Sequence, residues 1–287
     1  MAGLSRFQAL ALESLVWIDR FCKEHGITYF LIGGTLLGAV RHGGFIPWDD
    51  DVDIGMPRRD YKRFMELVKK VKLPPHKYLQ HYSMGNYPSH YLRVVDDRIT
   101  IITDSLSGTS FTTGICVDVF PFDGIPSNWF LQKLHYWRIR LYIQIVNAHY
   151  RSDEDFKKIR AGDPALPVKL FLRKVIKKFP KKIVKLIHTR LESILARYDY
   201  NKCEFVCNFV GRWRTREIVS REYLGEGRLM NFENHQFVGV ARPHEYLQRI
   251  YGNYMELPPE EKRPPHKFTI LKMHDEDTEN NEVKCTG

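Results

Sequence analysis

The sequence predicts an α+β catalytic domain interrupted by a basic helical segment. Three observations carry that expectation. Apolar residues recur at helical spacing near the N-terminus, short β-branched runs follow glycine or proline turns, and the carboxylates Asp49, Asp50, Asp51 and Asp53 crowd ahead of one such run.

Composition bounds what such a domain can do. With 287 residues, 43% apolar and 13% aromatic, the chain can bury a large core and is not composed like a disordered protein. Its 44 basic and 34 acidic side chains leave +10, which points to an anionic partner: nucleotide, phosphorylated glycan, nucleic acid or anionic membrane. Charge alone does not choose among them. Five dispersed cysteines read as reduced thiols rather than a disulfide framework. Cys203 and Cys207 have a zinc-like spacing, but no second pair lies near them. The first twenty residues lack a basic leader and are broken by Glu13 and Asp19, so they do not read as a signal peptide. No run of about 18 residues is free of charge, which argues against a membrane-spanning helix. The expected location is cytoplasmic, with peripheral contact on the inner face of the membrane as an option.

In chain order, Leu4 to Glu24 reads as an amphipathic helix stopped at Gly26, and Ile27 to Ile32 as a buried strand. Gly33 and Gly34 let the backbone turn and approach a ligand, with Thr35 capping a helix from Leu36 to Arg41. A helix start facing open space can take an anion, although a plain strand-to-helix turn has the same sequence. If Asp49–Asp53 is extended, alternation puts Asp49, Asp51 and Asp53 on one face and Asp50 on the other. Three like charges on one face repel unless a hard cation such as Mg²⁺ lies among them. A helix then starts at Pro57 and Asp60, presenting Tyr61, Phe64, Leu67, Val68 and Val71 to the core. His90–Val95 and Arg98–Thr103 suggest a hairpin around Asp96 and Asp97. In Gly114–Pro126, Asp118 stands among Ile115, Val117, Val119 and Phe120, where a buried carboxylate needs a metal or a basic partner. We expect it beside Asp51 and Asp53; Asp123, before Gly124, reads as a turn residue.

From Asn128 to Arg197 aromatic and basic residues interleave, and Pro180 divides the later part into two short helices. Such a basic amphipathic stretch suits an anionic bilayer or a core-packing helix with a solvated face equally well. Pro243–Tyr251 is a further helix stopped at Gly252. The four prolines after Met255 hold Lys262, Arg263, His266 and Lys267 on a stiff loop.

Three blocks, GGTLLGAVRHGGFIPWDDDVDIGMPRRDY, VDVFPFDGIP and YGNYMELPPEEKRPPH, resemble the LicD family, which includes the catalytic domains of fukutin and fukutin-related protein. The resemblance implies a nucleotidyltransferase-like fold of the DNA polymerase β type, a mixed sheet flanked by helices. It would form one catalytic domain over 1–274, with a core at about 1–126 and 201–274, a helical insertion at about 127–200 and a flexible tail at 275–287. It also implies Mg²⁺-dependent transfer of phosphorylcholine or a related phospho-alcohol. The donor would be CDP-choline or another CDP-alcohol; the acceptor, a sugar hydroxyl of a lipid-linked glycan such as teichoic acid or lipopolysaccharide. One or two Mg²⁺, or Mn²⁺, would be held by Asp49, Asp51, Asp53 and Asp118, with Asp51, Asp53 and Asp118 as catalytic residues. Gly33, Gly34, Thr35, Arg41, His42, Arg93, His266 and Lys267 are candidates for the donor phosphates. Asn253 departs from the family's usual Asp. The alternatives are an NTP-using nucleotidyltransferase that releases pyrophosphate, a ribitol- or glycerol-phosphate transferase, or a non-catalytic basic protein binding membrane or nucleic acid. With the transferase reading no nucleic acid is expected.

Overall fold

The computed structural model describes residues 4–103, 111–151, 153, 156, 163, 165–263 and 268–273. Helix α1 (Arg6–His25) begins at a capping box between Ser5 and Gln8 and ends on Gly26 at φ 56°, where a side chain would be strained. Its face of Leu15, Ile18, Phe21 and Cys22 is buried, and the helix lies against β4 (Leu92–Thr103) and β5 (Thr113–Ile125).

The strands form a mixed sheet flanked by helices. Taking β1 (Phe30–Leu31), β2 (Val52–Pro57), β8 (Arg228–Phe232), β9 (His235–Gly239) and β10 (Phe268–Met273), the order is β10-β4-β5-β2-β1-β9-β8. β2 runs parallel to β5, and β1 to β9; the remaining pairs on this path are antiparallel. β3 (Lys77–Gln80) adds to β4, while β6 (Phe205–Cys207) joins β5 to β7 (Ile218–Ser220). The strand expected over Ile27–Ile32 shortens to Phe30–Leu31. Its ladder with β2 has two residue pairs, although Ile27, Tyr29 and Ile32 are still buried.

Several local expectations change for identifiable reasons. Helix α2 (Gly33–His42) starts before Thr35, so Thr35 is not its cap; instead its Oγ1 accepts the Asp53 backbone N–H at 2.8 Å. Helix α3 (Arg58–Val68) buries Tyr61, Phe64 and Val68, whereas Val71 lies beyond it and is exposed. The hairpin expected around Asp96 and Asp97 is one strand, β4. Asp96 is buried against Lys77 Nζ (2.7 Å) and Arg98 Nη2 (2.7 Å), and a register shift between Asp96 and Thr100 absorbs the extra residues. Asp123 belongs to β5 rather than to a turn, because the Arg58 guanidinium grips both of its oxygens at 2.6 Å.

The segment after β5 folds into α4 (Trp129–Tyr150), α5 (Leu166–Lys177) and α6 (Lys181–Leu195), with Pro180 separating the last two. α4 and α6 share a second cluster that includes Tyr136, Ile139, Leu191 and Leu195, apart from the core around the sheet, and α5 lies against α4. A short helix, α7 (Arg221–Leu224), precedes β8, and α8 (Pro243–Tyr251) stops at Gly252 as the sequence predicts. The tail expected at 275–287 lies outside the described residues.

Candidate active site

Three residues from three adjacent strands form a row. Asp53 on β2 is the register partner of Asp118 on β5, and Asp118 is the partner of Arg93 on β4. Register partners share a sheet face, so the parallel pairing brings both carboxylates together. Asp118 finds the basic partner that its burial demands. Arg93 Nη2 donates to its Oδ2 at 3.1 Å, while Nε sits 2.8 Å from Oδ1, off the line of a hydrogen bond. The Arg93 guanidinium also stacks over Tyr87, 4.4 Å from the ring centroid, and donates to Tyr91 Oη.

The glycine turn has a specific steric cause. A Cβ on Gly33, whose φ is 55°, would come within 2.9 Å of Asp53 Oδ2, and one on Gly34 within 2.8 Å of Asp49 Oδ2. The two glycines therefore let carboxylates press against the first turn of α2, whose dipole favours negative charge there. Strand β2 begins only at Val52, so Asp49 and Asp51 belong to the preceding loop and strict alternation does not reach them. The partition it suggested nevertheless appears: Asp49, Asp51 and Asp53 line one cavity, and Asp50 is not among its lining residues.

Electrostatics set Asp53 apart. Burial, followed by the charges of Asp51, Asp118, Asp49 and Glu217, pushes its carboxyl well above the usual carboxylate range. Glu217 is itself enclosed, and burial raises it to about 7, although its Oε1 accepts the Trp213 N–H. Sequence patterning does not single out Glu217. Its one cue is an acid among basic and aromatic residues at the mouth of a β-branched run.

The cavity, of about 790 Å³, runs from this acidic floor to the helical segment. Gly33, Gly34 and Arg93 line it, as do Arg140, Arg151, Arg173, Arg212 and Arg214, cations the sequence reading does not name. Arg41 and His42 are not in the lining. They lie at the far end of α2, about 12 Å along its axis from Gly33, where Arg41 donates to His42 Nε2 and to the Tyr254 carbonyl. His266 and Lys267 lie outside the described residues. Among the described residues no group of three or more His, Cys, Asp or Glu side chains is gathered tightly enough to hold a metal ion. The mutual repulsion at Asp53 is nonetheless what a hard divalent cation relieves, so the chemistry of the donor set fits one.

This geometry defines a class: an α+β protein whose mixed sheet gathers acidic side chains beside a glycine-opened helix start, facing a wall of arginines. The model for the LicD/FKTN/FKRP nucleotidyltransferase domain matches residues 26–143. The chain is 29% identical to the lipopolysaccharide cholinephosphotransferase LicD of Haemophilus influenzae over 269 residues, 90% of this chain and 94% of that protein. Over 48 residues, 17% of this chain and 10% of the relative, it is 60% identical to the human ribitol 5-phosphate transferase FKRP. The mouse ribitol-5-phosphate transferase FKTN is 39% identical over 56 residues, 20% of this chain and 12% of its own. The resemblance read from the sequence holds: residues 26–143 match the LicD-family domain, and the similarity to LicD extends over most of the chain.

Proposed function

We propose that this protein transfers a phosphorylated alcohol from a CDP-activated donor to a glycan hydroxyl, with Mg²⁺ or Mn²⁺ as cofactor. The carrying observation is the in-register pair Asp53 and Asp118 at the floor of a cavity whose wall supplies six arginines. Phosphoryl transfer depends on positioning and on neutralising phosphate charge, and both elements are present in that arrangement. Asp49, Asp51 and Asp53 would hold the cation, which would neutralise the donor diphosphate when bound. Arg93, Arg140, Arg212 and Arg214, which line the cavity, would hold phosphate oxygens, Arg93 by exchanging Asp118 for the substrate. Asp118 could then accept the acceptor's proton, which requires that pair to open. The relatives' names make choline phosphate and ribitol phosphate the first groups to test, on a lipopolysaccharide or similar cell-surface glycan. In this reading the sheet is a nucleotidyltransferase-like core of about 1–126 and 201–274, with 127–200 inserted.

Incubation with CDP-choline, CDP-ribitol or CDP-glycerol and Mg²⁺ should release CMP from at least one of them. Pyrophosphate from CTP, with no CMP from any CDP-alcohol, would favour the nucleotidyltransferase alternative. Asp53→Asn should lower turnover by at least about 10³-fold, roughly 4 kcal/mol of barrier; near-normal turnover in the folded variant removes Asp53 from the catalytic role.

A further inference from the structure

Helix α4 is apolar on two opposite faces, and the protein covers one of them. Tyr136, Ile139 and Val146 are buried in the second core cluster. On the other side Phe130, Leu134, Trp137 and Leu141 recur at intervals of three and four and are 58–66% exposed. A helix apolar all round is ordinarily enclosed, so the bare face calls for an occupant. Helix α5 repeats the pattern with Val168, Phe171, Leu172 and Val175, all exposed. Scattered exposed apolar residues mean little, but two helical stripes in one bundle are not scattered.

The charge around the stripes selects the occupant. Residues 128–197 hold 17 Lys and Arg against 5 Asp and Glu, a surplus larger than the +10 of the whole chain. Lys133, Lys174, Lys178, Lys181, Lys182 and Lys185 are all exposed. Aromatic and aliphatic side chains flanked by lysines match an anionic bilayer surface. The apolar groups enter the acyl boundary, and the cations remain at the headgroups. Trp137, and Trp129 at the start of α4 with Lys133 Nζ 4.9 Å from its ring centroid, suit the headgroup level. Among the described residues no helix is long and apolar enough to cross a membrane, so the contact would be peripheral.

We infer that the exposed faces of α4 and α5 dock the protein on an anionic lipid surface. The inference is independent of the reaction, since Phe130, Leu134 and Phe171 do not line the cavity. The whole protein should sediment with phosphatidylcholine vesicles containing phosphatidylglycerol and not with phosphatidylcholine alone, and added salt should weaken the binding. Vesicles with bromine-labelled acyl chains should quench tryptophan emission. The variant F130S/L134S/F171S keeps Trp129 and Trp137 as reporters; it should bind at least about tenfold more weakly, with an unchanged melting temperature. The inference is overturned if wild-type protein ignores anionic vesicles, binds them without quenching, or binds no better than the variant. It is equally overturned if the wild type is a dimer that the variant abolishes, for then a second copy covers the face.

Discussion

The sheet and the helical segment manage charge and apolar surface in opposite ways. In the sheet, charges are inside: Asp96, Asp118 and Asp123 are buried and gripped by partners of opposite sign, Asp123 by the buried Arg58 at the start of α3. In the helical segment, α4 and α5 each leave an apolar stripe outside, with exposed lysines among the same helices. Buried ion pairs are a poor route to stability, because desolvation consumes much of their attraction. Exposed apolar stripes are likewise a poor route to solubility. Of the buried charges, Asp118 faces the candidate site, whereas Arg58, Asp96 and Asp123 are not among the cavity's lining residues.

The two regions meet at Glu192 on α6, whose Oε1 takes Arg58 Nη1 at 2.6 Å while Oε2 lies 3.1 Å from His90 Nδ1. Breaking that junction should have the largest effect on stability. Arg58→Met leaves Asp123 buried without its cation and should cost about 3–5 kcal/mol in urea unfolding. Adding Asp123→Leu should restore most of it; if the double variant is no better than the single, the pair is not what the substitution disrupts.

Two glutamates provide a sharper comparison, because they pull the pH dependence in opposite directions. Burial alone would raise Glu192, but His90 and Arg58 bring it from 4.5 down to about 2. Its contribution is therefore present above pH 4.5 and lost as the pH falls toward 2. Burial raises Glu217 from 4.5 to about 7, so its contribution is present below pH 4.5 and lost as the pH rises to 7. Each is worth about 3 kcal/mol at most. Unfolding measured from pH 3 to 8 should show Glu217→Gln flattening the fall between about 4.5 and 7, and Glu192→Gln flattening the rise on the acid side. A Glu217→Gln profile parallel to wild type would mean that the carboxyl is not enclosed.

Smaller effects follow. Gly33→Ala places a side chain at φ 55°, which costs about 1–2 kcal/mol, and crowds Asp53 Oδ2, so turnover should fall further than stability. Phe171→Ser should change unfolding by no more than about 0.5 kcal/mol. A larger loss would show that the Phe171 ring itself packs against the protein.

Legibility from sequence divided along the same line as the physics. Elements fixed by local chemistry could be read directly: α1 up to Gly26, the break at Pro180 and α8 up to Gly252. The meeting of Asp53 and Asp118 could be argued too, because an acid inside an apolar run must find company. Elements fixed by distant partners could not. Asp96 and Asp123 resemble turn residues until Lys77 and Arg58 are seen against them. β10 follows a proline-rich stretch of sequence and owes its form to pairing with β4. The arginine wall was hidden in plain composition, since nothing local separates Arg140 or Arg212 from their basic neighbours.

The row of Arg93, Asp118 and Asp53 has a consequence for how this protein fails. A slip of one residue between β2 and β5 would turn Asp118 to the other face of the sheet and set a valine, Val117 or Val119, opposite Asp53. Such a slip separates the two carboxylates outright rather than loosening their contact. A preparation that has slipped in this way should contain fewer competent molecules, each with a full-strength site, and counting occupied sites will distinguish it from protein that is uniformly weakened.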